Sequence, residues 1–168
     1  MNIYYHPLYT KGIDSKSTFP KERYDLIKDA LAVNELSNTI AIKTPNKVEI
    51  NDVYRAHSKD YVDAFLNSDL SEKQVREIGL KPWSDKIIDR TLFLTGGSVS
   101  ALYDIYKGAP VSANMAGGTH HAFSERGSGF CIFNDIAICA IKAIEDYNYN
   151  RVLIIDLDVH QGDGTASI

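Results

Sequence analysis

Hydrophobic and polar positions along this chain fall into blocks of changing period, and the period predicts the element. NIYYH, near the start, is a short apolar-rich run that predicts a strand. PKERYDLIKDALAVNEL carries apolar side chains at 24, 27, 31 and 36, one helical face, with Pro20 at the helix start where proline is tolerated. SKDYVDAFLN reads as a helix capped by Ser58, and SEKQVREIG as one opened by Ser71 and closed by Gly79. The longest helical pattern, SDKIIDRTLFLTGGSVSALYDIYKG, is opened by Ser84 and stopped by Gly108. Inside it Gly96 and Gly97 each cost about 1 kcal/mol against alanine, so close packing on a neighbour is expected there. NDIAICAIKAIEDY, with Asn134 as N-cap, is apolar on most sides and is expected to be buried. RVLIIDLDV is a continuous branched run, the pattern of a central parallel strand covered on both faces. Strand, helices and strand in this order predict an α/β fold with a parallel sheet.

Composition narrows the function classes. With 168 residues, 44% of them hydrophobic, the chain can form one globular domain with a core. A net charge of -4 offers neither a basic face for nucleic acid nor a polybasic patch for a membrane surface. No run approaches the roughly 20 apolar residues of a spanning helix. MNIYYHPLYTKG lacks a charged segment followed by an apolar one, so no secretory signal is expected. Cys131 and Cys139 are too few for a disulfide framework, which makes a reducing cytoplasm the expected setting. No repeat or linker-like break divides the chain. His6 and His57 are isolated and read as structural, and the tyrosines lack the spacing of a base-stacking platform.

The chemistry gathers in LIIDLDVHQGDG, residues 153–164. If the strand continues to 160, Asp156, Asp158 and His160 project to one side at its C-terminal end, where open parallel sheets place ligand sites. One acid there commonly caps a neighbouring helix. Two acids and a histidine at i, i+2, i+4 over an apolar run need a buried partner, and a divalent cation is the economical one. A carboxylate with an imidazole suits zinc, ferrous iron or another first-row metal. Gly162 and Gly164 allow a tight turn that returns Asp163 toward the site.

A second constellation is NMAGGTHHAFSERGSGFCIFND. His120 and His121 are neighbours and point in different directions, so alone they would read as surface or capping residues. The flanking glycines indicate backbone that bends or lets a ligand approach. Beside a metal carboxylate site, two histidines suit proton transfer, each steadied by an acid, and Asp156 and Asp163 are available for that.

Together, GGTHHAFSERGSGFCIFNDIAICA and VLIIDLDVHQGDGT resemble the histone deacetylase superfamily. Gln161, where many members carry a second histidine, makes the chain most similar to the class IV branch and its bacterial relatives. The resemblance extends over RAHSKDYVDAFL and EIGLKPWSDKIIDRTLFLTGGSVSAL, hence most of the chain. It implies a three-layer α/β/α fold with a central, mainly parallel sheet of the arginase-deacetylase type. It also implies roles. His120 and His121 act on the hydrolytic water and the leaving amine, with Asp156 orienting the first and Asp163 the second. Asp158 and His160 are two of three protein ligands of a catalytic zinc or ferrous ion. The Gly129 carbonyl and the Phe130 ring line the acyl tunnel. Oxygens around Asp156, Asp158 and His160 form part of a structural potassium site. Gly162 stands where two-metal relatives place an acid, which implies a single catalytic metal.

The family's third metal ligand and its carbonyl-polarising tyrosine come from later segments. Residues 1–168 are therefore expected to be the N-terminal portion of a single deacetylase catalytic domain, incomplete at the C-terminus. The expected activity is metal-dependent hydrolysis of an acyl-amide, with an acyl-lysine peptide or acyl-polyamine as partner and neither nucleic acid nor membrane. The alternative is an inactive scaffold of this fold that binds acylated ligands or partner proteins.

Overall fold

The computed structural model describes residues 1–33 and 38–168. In chain order the elements are β1 (Asn2–Tyr4), α1 (Leu8–Lys11), α2 (Arg23–Val33), β2 (Ala41–Lys43), α3 (Ile50–Val53) and α4 (Lys59–Leu66). They continue with α5 (Glu72–Ile78), α6 (Ile87–Tyr106), β3 (Ser112–Asn114), α7 (Asp135–Glu145) and α8 (Asp163–Ser167). Two compact units contain them: residues 1–48 with 81–117, and residues 49–80 with 118–168. No helix among the described residues is long and apolar enough to cross a membrane.

The first unit is built on a parallel sheet of three strands in the order β2-β1-β3. Ile3 pairs with Ile42 on one side and Ala113 on the other, and Ile3 and Tyr4 are buried. This is the α/β class with a parallel sheet that the order of elements predicts. β2 and β3 escape a reading of pattern because each has three residues and neither shows a long branched run.

Helix α6 packs through its paired glycines, Gly97 against Asn114 of β3 and Gly96 against the backbone of residues 46–48 that follows β2. A Cβ at Gly96 would stand 2.0 Å from Asn46 O, and one at Gly97 2.5 Å from Asn114 Oδ1 and Tyr9 Oη. Asn114 Nδ2 in turn donates to Leu94 O and Ser98 Oγ, both at 2.8 Å, and so ties β3 to the helix. Helix α6 starts at Ile87 rather than Ser84, whose Oγ accepts Lys86 N–H just before it. Helix α2 buries only Tyr24, while Leu26 and Ile27 are exposed; position 36 lies outside the described residues.

The second unit has a small aromatic core. Phe65 and Phe133 meet edge to face with centroids 5.1 Å apart, Tyr61 stands against Phe133, and Val53, Val62, Ile78 and Ile138 fill the surroundings. Ser71 and Gln74 form a capping box on α5, and Gly79 ends that helix at φ +82°. Ser58 precedes α4 as expected, but its side chain makes no cap bond; its amide donates to Ser124 O.

Two expectations are corrected here. Helix α7 is buried at Asp135, Ala137, Ile138 and Ala143, on several sides, but half-buried between them and exposed at its end, where Ile144 meets solvent. Residues 151–157 are not a strand: they have no regular structure, with Leu153 83% and Leu157 91% exposed. A strand exists through its partners' hydrogen bonds, and among the described residues no backbone group pairs with this run. Local bonds compete as well, since Asp156 Oδ1 accepts Asp158 N–H and Asp158 Oδ2 accepts His160 N–H in consecutive Asx turns.

Candidate active site

All eight residues singled out by sequence lie in the second unit, on the irregular segment before α7 and on the segment that leads into α8. The two segments meet through histidine–carboxylate pairs. His120 Nδ1 is 2.6 Å from Asp156 Oδ2, and His121 Nδ1 is 2.8 Å from Asp163 Oδ1. The two imidazole rings are 4.1 Å apart at their centroids, with His120 buried and His121 partly open. Asp163 opens α8, so the turn through Gly162 does bring it back to the second histidine.

The carboxylates are electrostatically suited to this pairing. The bond from His120, followed by the Asp158 amide, holds the Asp156 carboxyl below the usual carboxylate range. The bond from His121 does the same for Asp163. An ionised acceptor fixes the proton on each Nδ1, which leaves each Nε2 to accept or to donate one.

Glycine is required where the segments touch. A Cβ at Gly162 would stand 2.4 Å from Asp156 Oδ2, and one at Gly129 would stand 2.7 Å from the His121 ring. Gly129 has φ +51° and Phe130 φ 68°, a conformation few side chains adopt. The hairpin-like turn is anchored by Phe130 N–H on Ile78 O at 2.7 Å, and the half-exposed Phe130 ring lies beside Gly79.

Asp158 and His160 are brought together by the Asx turns rather than by strand alternation. His160 Nδ1 is 2.9 Å from Asp158 Oδ2, and His120 Nε2 is 4.0 Å from the same oxygen. The amide of His160, then its ring, depresses the Asp158 carboxyl. Two ligands of a tetrahedral zinc ion, each about 2.0–2.1 Å from it, are roughly 3.3 Å apart, whereas His160 Nδ1 and Asp158 Oδ2 are hydrogen-bonded to one another at 2.9 Å. Among the described residues no group of three or more His, Cys, Asp or Glu side chains is placed to hold a metal.

Sequence reasoning left several residues of this region without a role. Asn134 does more than cap α7: besides accepting Ala137 N–H, its Nδ2 donates to Ala122 O and Thr165 Oγ1, both at 3.0 Å. His57 is structural, as expected, and donates Nδ1–H to Phe123 O at 2.9 Å while accepting Asn134 N–H on Nε2 at 2.8 Å. Thr119 and Asp135 bond one another and the backbone before His120. No periodicity marks these residues, because their partners are loop main chain. His6 stacks on Phe93 at 3.8 Å in the first unit, also a structural role.

Residues 17–168 match the family model described as the histone deacetylase domain. The chain is 40% identical over 168 residues to an uncharacterized protein of Picosynechococcus sp., covering 99% of this chain and 55% of that one. It is 35% identical over 144 residues to histone deacetylase clr6 of Schizosaccharomyces pombe, covering 80% and 35%. With acetoin utilization protein AcuC of Staphylococcus aureus the identity is 32% over 171 residues, covering 97% and 44%. The chain spans about half the length, or less, of these curated relatives.

Proposed function

The chain belongs to the histone deacetylase family, and from that premise we propose that residues 1–168 are the N-terminal portion of one deacetylase catalytic domain. Its parallel sheet and helices are part of an α/β fold of the arginase-deacetylase type. The reaction is hydrolysis of an acyl-amide, of the acetyl-lysine or acetyl-polyamine kind. Water oxygen bonds to the acyl carbon, the carbon–nitrogen bond breaks, and a carboxylic acid and an amine leave.

The supporting observation is the pair of Nδ1–carboxylate contacts, 2.6 and 2.8 Å long, on adjacent histidines. Asp156 keeps the His120 tautomer with a free Nε2, which takes the proton from water. Asp163 does the same for His121, whose Nε2 takes up a proton from solvent and delivers it to the departing nitrogen, while His120 returns to solvent the proton it took from water. Gly129, by its carbonyl, and Phe130, by its ring, border a passage for a long, thin, neutral acyl-amine. Asp158 and His160 would hold a zinc or ferrous ion, and oxygens near them a structural potassium ion. A divalent ion at that position supplies Lewis acidity toward the acyl carbonyl and lowers the pKa of water toward about 7.

The test is turnover by the full-length protein on acetyl-lysine peptide, acetyl-polyamine and long-chain acyl-lysine, with and without added zinc or iron. Hydrolysis of at least one substrate, lost on chelation and regained on adding metal, is expected. Binding of these ligands with no hydrolysis under any metal condition would replace the enzyme with a scaffold.

A further inference from the structure

The tandem histidines stand on irregular backbone, yet proton transfer needs their Nε2 atoms placed to within roughly half an ångström. Something other than a helix or a strand must fix residues 118–122. The carboxylate of Asp135, the first residue of α7 and only 2% exposed, is aimed at that backbone. It accepts Gly118 N–H at 3.1 Å and 3.2 Å on its two oxygens, and Thr119 N–H at 2.8 Å on Oδ1.

Thr119 Oγ1 lies 2.5 Å from both Asp135 Oδ1 and Phe133 O, and its one proton serves either. The same oxygen accepts Asp135 N–H at 3.2 Å. Amide and hydroxyl of the residue next to His120 are thus both held by Asp135. On the other side Thr165 N–H donates to His120 O at 3.0 Å, and Asn134 Nδ2 to Ala122 O. An acid serving only the dipole of α7 would face solvent near the helix amides and would not turn both oxygens to another segment. Hydrogen bonds to a carboxylate are about twice as strong as neutral ones, so Asp135 is the dominant restraint on this turn.

We infer that Asp135 and Thr119 are positioning residues for His120 and His121, setting the direction in which the two rings present Nε2. The effect on turnover rests on the deacylase reading above; the effect on the rings does not.

The experiment compares D135N, T119V and T119S in the full-length protein. Three quantities are read: the thermal midpoint, kcat and KM on an acetyl-lysine peptide, and the ring 15N and Nδ1–H resonances of His120 and His121, assigned by replacing each. Asparagine keeps the shape of Asp135 but offers an NH2 where an N–H now finds an acceptor. Valine keeps the shape of Thr119 and removes its oxygen. In D135N and T119V both sets of ring resonances shift, and kcat falls about 10–100-fold with KM within about threefold. T119S, which keeps the oxygen, returns resonances and kcat toward the wild type. Unmoved ring resonances in D135N and T119V overturn the inference, as does a lowered thermal midpoint with unchanged kcat. Should the wild type hydrolyse no acyl-amide, the deacylase reading fails and the resonances alone decide this one.

Discussion

His57 holds a single proton on Nδ1 because its Nε2 is committed to Asn134 N–H, and burial presses its pKa from 6.5 down to about 4. The unfolded chain takes up a second proton near pH 6.5, whereas the folded one resists until about pH 4. Stability from this group is therefore full above pH 6.5 and is lost as pH falls toward 4, with a slope of about 1.4 kcal/mol per pH unit. Urea midpoints across that window check it, and His57→Gln should flatten the slope whatever it does to the midpoint. Gly162 makes a sharper demand. Replacement by alanine drives a methyl group against Asp156 Oδ2, so the His120 Nδ1–H resonance should move and turnover should drop about 10²-fold. Wild-type values for both would show that the loop yields at no cost to the pair. At this scale the sequence singled out Asp158 and His160 by their spacing and His120 and His121 by the family resemblance. The structure pairs the two tandem histidines with Asp156 and Asp163 and sets Asp158 beside His160. The sequence was silent on Asp135, whose acid at a helix start has an ordinary explanation in the helix dipole. Only the fold reveals that it faces the loop.

Capping was legible at Ser71, Gly79 and Asn134, where a cap is decided within four residues, and misread at Ser58 and Ser84, whose side chains cap no helix. Ser71 accepts Gln74 N–H, and the glutamine side chain reaches back to Ser71 N–H. Ser71→Ala should lower unfolding free energy by about 1 kcal/mol, read from a denaturation curve with unchanged slope. A loss below a few tenths would mean that α5 is held by Ile78 and its neighbours alone. The glycine pair in α6 was legible too, as a cost that only close packing offsets, and Asn46 and Asn114 are the neighbours. Strand content was legible at β1, which NIYYH marks, and not elsewhere. RVLIIDLDV has the composition of a buried strand, but pairing depends on segments far along the chain, and composition cannot supply them. β2 and β3 form because β1 offers both its edges; their own residues, AIK and SAN, hold no such instruction.

Across the whole molecule, the chain passes between its two compact units at 48/49, 80/81 and 117/118, with no linker-like composition at any crossing. An unbroken sequence pattern thus conceals an interleaved arrangement, since units are defined by contacts distant in sequence. The apolar side chains of Leu153, Ile155, Leu157 and Val159 are exposed together. Such a run with open backbone invites pairing with another copy. Residues 1–168 prepared alone should associate with rising concentration, and Leu153→Lys with Leu157→Lys should restore a single small species in light scattering. A wild-type sample that stays monomeric at high concentration would argue that the run is sheltered in solution. The same stretch has a kinetic consequence. Helix amides in α6 wait for an opening event before they trade hydrogen for deuterium, and that wait records the free energy of opening. Amides at 151–157 have no backbone acceptor among the described residues. They should label in the first instant of exposure to heavy water, at the pace of a short peptide. Asp158 and His160, whose amides are held by carboxylates two residues back, should lag just behind them, which makes the approach to the site readable as a step in exchange rate along the chain.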